Sequence, residues 1–179
     1  MSRAQSDPAE AVRPDPVAVR LVAQLAQSGQ TVATCESITG GLICASLTAP
    51  AGASQVVRGA LVTYMTDLKT SLAQVPAATV AEHGVVSEAV ALAMAEAARR
   101  VCQATWGIGV TGVAGPGPAE GQPAGTVWLA LAGPVRSWAR LSRLTGERQE
   151  VRQAVVQVAL RALTEALAVD WPACPRSLR

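Results

Sequence analysis

The sequence is poor in aromatic residues and in histidine. Its 179 residues include no phenylalanine, one tyrosine and four tryptophans, so the core has to be built from Val, Leu, Ile and Ala. His83 is the only histidine in the sequence. Unless His83 itself serves, this excludes ordinary Ser-His-Asp catalysis and most histidine-rich metal sites. Because His83 has no partner in the neighbouring sequence, we interpret it as structural or exposed.

Charged residues, paired cysteines and long apolar runs are also scarce. The formal net charge is only +2, which is too small to argue for direct nucleic-acid binding. The four cysteines show no C-x-x-C pair and no metal-like spacing, and we expect them to be core residues rather than nucleophiles. No segment is apolar for the ~20 residues that a membrane span needs. With no signal peptide either, we expect a cytoplasmic protein without membrane contacts.

Apolar periodicity and turn-forming residues indicate one α/β domain. Half of the residues are hydrophobic, and the chain is long enough for one sizeable core but short for two. We expect the domain over residues 15–168, between a disordered N-terminal tail at 1–14 and a C-terminal tail at 169–179. The predicted strands are 31–36, 56–64, 106–113, 126–132 and 137–143. The predicted helices are 16–28, 40–48, 66–72, 88–103 and 147–168, with a helical turn at 79–83.

The order of these elements predicts the architecture. The first three strands alternate with helices, whereas the last two are joined by Gly133-Pro134 and form a hairpin. This order favours a three-layer α/β/α sandwich with a mixed, mostly parallel five-stranded sheet. In such open sheets, ligands bind at the carboxyl ends of the strands.

Ser37 follows the first predicted strand, at a turn that leads into a helix. The turn reads Glu36-Ser37-Ile38-Thr39-Gly40-Gly41. A strand-to-helix turn of this kind directs free backbone N–H groups and the positive end of a helix at one point. A serine there can act as a nucleophile, or it can merely cap the helix. The motif alone leaves both interpretations open.

Three further segments carry candidate chemistry at the ends of predicted elements. Lys69 follows the second strand together with Tyr64, and it is either a general base with a lowered pKa or a solvated lysine. Thr111 and Gly112 begin a Gly-rich segment that can hold a phosphate or an oxyanion, or can be only a flexible loop. Arg148 opens the last helix, where it either contacts a phosphate or is solvated.

These segments, in this order, resemble the CinA C-terminal domain family, the nicotinamide mononucleotide (NMN) deamidases. The resemblance covers roughly residues 15–168. It implies hydrolysis of NMN to nicotinic acid mononucleotide and ammonia, a step of pyridine nucleotide recycling, without a metal or another cofactor. The matching motifs lie at residues 34–42, 62–64 with Lys69, 84–88, 110–116, 125–128 and 146–148.

The resemblance also implies a role for each matched residue. Ser37 is the nucleophile, Lys69 is the base, and Tyr64 relays or positions the proton. This agrees with the residues themselves, because a serine without a histidine needs another base. The implied substrate-binding residues are Glu36, Thr39, Gly40, Gly41, Thr111, Gly112, Gly115 and Arg148.

Some positions depart from the usual family pattern, and they leave alternatives open. Ile38 replaces a cysteine, Cys35 replaces an alanine, and Met65 lies in a segment that is usually Tyr-Ser-Asn. One alternative is therefore an amidase of the same family with another substrate. The other is a non-catalytic nucleotide-binding protein or a partner protein linked to competence or DNA damage. We expect a stand-alone, homo-oligomeric form that lacks the large N-terminal domain of many members.

Overall fold

The structure, a computed structural model, describes residues 13–169. Of the tails predicted at 1–14 and 169–179, residues 1–12 and 170–179 lie outside the described residues. The elements are α1 (Pro16–Ser28), β1 (Val32–Glu36), α2 (Leu42–Thr48), a 3-10 turn (Ala53–Gln55), β2 (Val57–Val62), α3 (Thr66–Ser71), α4 (Ala77–His83), α5 (Glu88–Cys102), β3 (Trp106–Gly112), β4 (Thr126–Ala132), β5 (Ser137–Arg143) and α6 (Arg148–Val169).

The five strands form one mixed sheet in the order β2-β1-β3-β4-β5. Strand β1 pairs in parallel with β2 and β3, whereas β3–β4 and β4–β5 are antiparallel pairs. Four strands therefore run in one direction and β4 opposes them, which confirms the predicted mixed, mostly parallel sheet. Glu36, at the end of β1, lies opposite Val62 of β2 and Val110 of β3. The carboxyl ends of these three strands consequently meet at one edge.

Helices cover both faces of the sheet, so the three-layer arrangement is confirmed. Residues of α1, α2 and α6, among them Leu21, Ile43 and Leu160, pack in one apolar cluster with Val32 of β1. Met94 of α5 packs in a second cluster with residues 33 and 35 of the same strand. Because successive strand residues point to opposite faces, β1 contributes to both cores and is buried along its whole length.

Local sequence signals explain where the main helices begin and end. The Asp15 carboxylate accepts a hydrogen bond of 2.7 Å from the Val17 N–H, and Pro16 occupies the first helical position of α1. Gly29 ends this helix with a left-handed conformation. The Ser87 hydroxyl caps α5 by accepting a hydrogen bond from the Val90 N–H.

The structure differs from the predicted elements at several points. Helix α2 begins at Leu42 rather than at residue 40, because Gly40 and Gly41 have φ values of +61° and +99° that a right-handed helix does not allow. Helix α4 is longer than the predicted turn at 79–83, and β2 is shorter than 56–64. Val101 fits the apolar spacing of Val90, Met94 and Ala98 on α5, which predicts burial, but it is exposed. Within residues 13–169, no helix is long and apolar enough to span a bilayer.

Candidate active site

Three turns at the carboxyl ends of β1, β2 and β3 meet in one pocket of about 420 Å³. The turns belong to neighbouring strands, so the sheet order itself brings them together. The structure thus places most of the predicted site residues in one cavity. Those that line it are Ser37, Tyr64, Lys69, Thr111, Gly112, Gly115 and Arg148.

Ser37 and Lys69 are in direct contact at the base of this pocket. Lys69 Nζ donates hydrogen bonds to Ser37 Oγ at 3.0 Å and to the Thr63 carbonyl oxygen at 3.1 Å. The Ser37 N–H donates to the Val110 carbonyl at 3.1 Å, which fixes the backbone of the serine against β3. Only 2% of Lys69 and 9% of Ser37 are exposed. The interpretation of Lys69 as a solvated surface lysine is therefore wrong.

Burial lowers the pKa of Lys69 below its ordinary value. The Cys35 thiol and the Glu120 carboxylate act in the opposite direction, but burial is the largest effect. A low-dielectric surrounding disfavours the ammonium form of lysine. The neutral amine has a lone pair that can accept the proton of the Ser37 hydroxyl, so this environment suits Lys69 to be a general base.

The sequence contains a second indication of a special role for Lys69, apart from its position after a strand. It is the only lysine among 15 basic residues, and the other 14 are arginines. Arginine cannot lose its proton in proteins, whereas a buried lysine can. A single lysine in an arginine-rich chain therefore marks a position where an amine is chemically useful.

Glu36 lies beneath the turn rather than in the pocket. It is fully buried and is absent from the pocket lining, as is Thr39. The predicted contact of these two residues with substrate stays a prediction, and in this structure both side chains are bonded within the protein. The donors to the Glu36 carboxylate are Thr34 Oγ1 (2.9 Å) and the Cys44 N–H (2.8 Å) to Oε1, and Thr39 Oγ1 (2.6 Å), the Gly41 N–H (2.9 Å) and the Ile43 N–H (3.1 Å) to Oε2.

Gly40 and Gly41 shape the turn and do not line the pocket. Both have a positive φ, which glycine adopts without steric cost. The Gly40 N–H donates to the Ser37 carbonyl at 3.1 Å, and the Gly41 N–H donates to Glu36. Because both N–H groups bond inside the protein, the geometry favours a structural role for the two glycines, and their substrate contacts stay a prediction.

Tyr64 is bonded to Arg148 rather than to the serine or the lysine. Arg148 Nη2 donates to the Tyr64 hydroxyl at 2.7 Å, and Nη1 donates to the Gly115 carbonyl at 2.9 Å. Arg148 thereby joins the loops that follow β2 and β3. Tyr64 is 55% exposed, and no hydrogen bond links it to Ser37 or Lys69 in the described part of the chain. Its role as a proton relay stays a prediction, and the geometry favours a role in holding Arg148.

Thr111 connects the end of β3 to the segment before α5. Its buried hydroxyl donates to the Val85 carbonyl at 2.7 Å. Val85 and Val86 add apolar wall to the pocket on this side. Gly112 and Gly115 continue the same wall, so their predicted placement at the site agrees with the structure.

Two charged residues near the site were missed in the sequence. Glu120 lines the pocket from the loop after β3, and no pattern in the sequence marks it. Arg152 donates to the carbonyl oxygens of Ile38 and Thr39. The sequence signal for Arg152 was its spacing from Arg148, because a residue four positions after Arg148 lies on the same face of a helix.

Cys35 can be compared with the expectation that the cysteines are core residues rather than nucleophiles. This residue is fully buried, and burial raises the pKa of its thiol to about 11. A thiol of this kind packs as a small apolar group and is not a nucleophile at neutral pH. Within residues 13–169, no three His, Cys, Asp or Glu side chains are grouped in a way that could hold a metal ion.

Comparison with known proteins identifies the family. Residues 14–167 match the model of the CinA C-terminal domain. The chain belongs to the CinA C-terminal domain family. The match covers nearly all of the described residues, including every turn that lines the pocket.

Relatives in two bacteria show the extent of the similarity. The chain is 47% identical over 148 residues to a CinA-like protein of Anaeromyxobacter dehalogenans, covering 82% of this chain and 36% of the relative. It is 43% identical over 162 residues to a CinA-like protein of Gloeobacter violaceus, covering 89% of this chain and 38% of the relative. The chain therefore spans little more than a third of the length of these relatives.

Solved structures of the family have the same fold. The competence/damage inducible protein CihA from Agrobacterium tumefaciens superposes with a TM-score of 0.81 at 37% identity, covering 85% of this chain and 93% of that one. A CinA superfamily protein from Klebsiella pneumoniae gives a TM-score of 0.83 at 35% identity, covering 87% and 97%. Each superposition includes most of the described domain.

Proposed function

We propose that the protein is an amidohydrolase that converts NMN and water to nicotinic acid mononucleotide and ammonia. Ser37 is the nucleophile and Lys69 is the general base. The observation that carries this proposal is the 3.0 Å contact between Lys69 Nζ and Ser37 Oγ, made by a lysine that is 2% exposed. Membership of the CinA C-terminal domain family supports it.

The proposed reaction has two halves. Neutral Lys69 takes the proton of Ser37 Oγ while Oγ attacks the carboxamide carbon, and the ammonium so formed returns that proton to the leaving nitrogen. Ammonia departs and an ester links Ser37 to the nicotinoyl group. In the second half, Lys69 takes a proton from water, the hydroxide attacks the ester, and the proton returns to Oγ as the acid leaves.

The backbone N–H of Ile38 is suited to stabilise the oxyanion. Ile38 directly follows the nucleophile and lines the pocket. Its N–H has no hydrogen-bond partner among residues 13–169. An N–H that is held in place at this position can donate to the negative oxygen that develops when the serine attacks, and such donors contribute about 3 kcal/mol to catalysis.

Arg148 is suited to bind the phosphate of the substrate. Its two hydrogen-bond acceptors, the Tyr64 hydroxyl and the Gly115 carbonyl, are both neutral. No carboxylate in the described part of the chain pairs with its guanidinium. A phosphate can therefore supply the missing negative charge through a charge-assisted pair of hydrogen bonds.

Turnover of NMN by the purified protein tests the proposal. We expect equal amounts of ammonia and nicotinic acid mononucleotide, and no product above background from Ser37→Ala. Ser28→Ala is the matched control, because Ser28 lies at the end of α1 and its hydroxyl bonds only within that helix. Equal product yields from the wild-type protein and Ser37→Ala would refute serine catalysis.

A second candidate is an amidase of the same mechanism that acts on another amide. Ile38 lines the pocket although it is only 4% exposed and packs in the apolar core, so the departure from the family pattern at this position lies beside the proposed substrate site. Met65, the other such residue, is 64% exposed and does not line it. A panel of NMN, nicotinamide riboside, nicotinamide and non-pyridine amides separates the two candidates. Binding of NMN together with identical product yields from wild type and Lys69→Ala would instead favour nucleotide binding without catalysis.

A further inference from the structure

Helix α6 places two arginines, one turn apart, on the side of the molecule that carries the site. Arg148 lies in the pocket wall, whereas Arg152 lies behind the turn that carries Ser37. Arg152 Nε donates to the Ile38 carbonyl at 3.2 Å and Nη2 donates to the Thr39 carbonyl at 2.8 Å. Nη1 donates to Gln149 Oε1 at 2.8 Å, which holds the guanidinium in this orientation.

We propose that Arg152 is a positioning residue that fixes the second and third peptide planes after the nucleophile. The two carbonyls that it holds belong to the peptides 38–39 and 39–40. Because a peptide unit is planar and rigid, fixing the carbonyl oxygen also fixes the N–H on the opposite side of that unit. The planar fork of arginine suits this task, since its donors have a fixed separation and direction.

The opposite side of the same turn is held by Glu36. That carboxylate accepts hydrogen bonds from the Thr39 hydroxyl and the Gly41 N–H. The turn is therefore fixed from two directions: the Glu36 carboxylate accepts hydrogen bonds from its donors, and the Arg152 guanidinium donates to its carbonyl oxygens. A Cβ added at Gly40, where φ is +61°, would lie 3.4 Å from Arg152 Nη2, which shows how closely the guanidinium packs on the turn.

Arg152 does not line the pocket, so its loss removes no direct contact with a bound substrate. Its loss does free the peptide 39–40, whose Gly40 N–H donates at 3.1 Å to the Ser37 carbonyl and so helps to orient the peptide that carries the Ile38 N–H. A displacement of about 1 Å at a reacting group costs about 100-fold in rate. For the proposed amidase reaction, on which this part of the inference rests, we expect Arg152→Gln to lower kcat about 100-fold while KM changes by less than about 3-fold.

The test compares Arg152→Gln and Arg152→Lys with the control Arg161→Gln, which replaces an exposed arginine on the same helix. The first measurement is amide hydrogen exchange of residues 37–44, which needs no substrate. The second is kcat and KM for NMN. We expect faster exchange of the turn and a lower kcat in Arg152→Gln, an intermediate effect in Arg152→Lys, and no change in Arg161→Gln.

Two results would overturn the proposal. One is unchanged exchange of residues 37–44 in Arg152→Gln. The other is a raised KM with an unchanged kcat, which would indicate a substrate-binding role instead. If urea unfolding shows that Arg152→Gln is globally unstable, Arg152→Ala with added guanidinium replaces it. We expect the added guanidinium to restore the protection of residues 37–44 against amide exchange. If wild-type protein does not hydrolyse NMN, the proposed function fails, while the exchange measurement still decides the role of Arg152.

Discussion

Lys69 Nζ lies 3.0 Å from Ser37 Oγ although the two residues belong to turns after different strands. Ser37 follows β1 and Lys69 lies in α3, which follows β2. The parallel pairing of Glu36 with Val62 sets both turns at the same height along the sheet. The contact therefore depends on the register of two neighbouring strands, and a shift of one residue would separate the two groups.

Replacing Lys69 by arginine or methionine should abolish catalysis to a similar extent. Arginine keeps the positive charge but cannot act as a base, and methionine keeps the apolar stem without the amine. We expect each variant to lower kcat by about 10³-fold, within the range attributed to general acid–base groups. Ammonia release from NMN is the measurement. Substantial activity in Lys69→Arg would show that the positive charge, not proton transfer, is what the reaction needs.

Activity should rise with pH, and its midpoint should lie below the ordinary lysine pKa of about 10.4. The neutral amine is the active form, and burial lowers the pKa at which this form appears. Because Lys69 is the only lysine, labelling with ¹⁵N-lysine gives a single side-chain signal, and its titration reports the pKa directly. The midpoint of kcat/KM against pH should agree with that titration. An activity that falls as pH rises through this midpoint would contradict the role of Lys69 as base.

Glu36→Gln should destabilise the fold by about 3 kcal/mol. The variant loses the buried charge that accepts five hydrogen bonds, and its amide group turns a donor towards other donors. Urea unfolding of the variant and of wild type measures the difference. Glu82→Gln, at an exposed carboxylate on α4, is the control and should change the unfolding free energy by less than about 0.5 kcal/mol. Equal unfolding midpoints for Glu36→Gln and wild type would contradict this structural role.

Arg148→Gln should weaken the binding of a phosphorylated substrate specifically. Loss of a charge-assisted contact of about 1.5–3 kcal/mol predicts a KM for NMN that is about 10- to 100-fold higher, with little change for nicotinamide riboside. Parallel kinetics with the two substrates provide the measurement. An equal rise in KM for both substrates would place the phosphate elsewhere.

Tyr64→Phe should change kcat by less than about 3-fold, because its hydroxyl contacts Arg148 and neither Ser37 nor Lys69. We expect a rise in KM for NMN that is smaller than that of Arg148→Gln, since only one of the two partners of the guanidinium is lost. Steady-state kinetics of the two variants, side by side, provide the measurement. A loss of kcat in Tyr64→Phe as large as that of Lys69→Met would instead establish a proton relay through this tyrosine.

The strands and helices were largely readable because the core follows simple periodicities. Strand β3 reads as a continuous apolar run and is buried from Trp106 to Thr111, while the cap at Asp15 and the glycine at 29 bound α1. The errors lie where local rules are weak. Val101 fits the helical stripe of α5, but it lies in the last turn of that helix and is exposed.

The sequence by itself determined the order of the elements, the mixed sheet and the edge at which Ser37, Lys69 and Arg148 meet, because these follow from periodicity and connection rules. Only the tertiary structure decided what each side chain contacts. Glu36 and Ser37 are neighbours in the chain, but strand alternation sends the carboxylate beneath the turn and the hydroxyl into the pocket. The spacing from Arg148 places Arg152 on the same helix face, but the turn that it holds lies more than a hundred positions away, and no local pattern encodes that pairing.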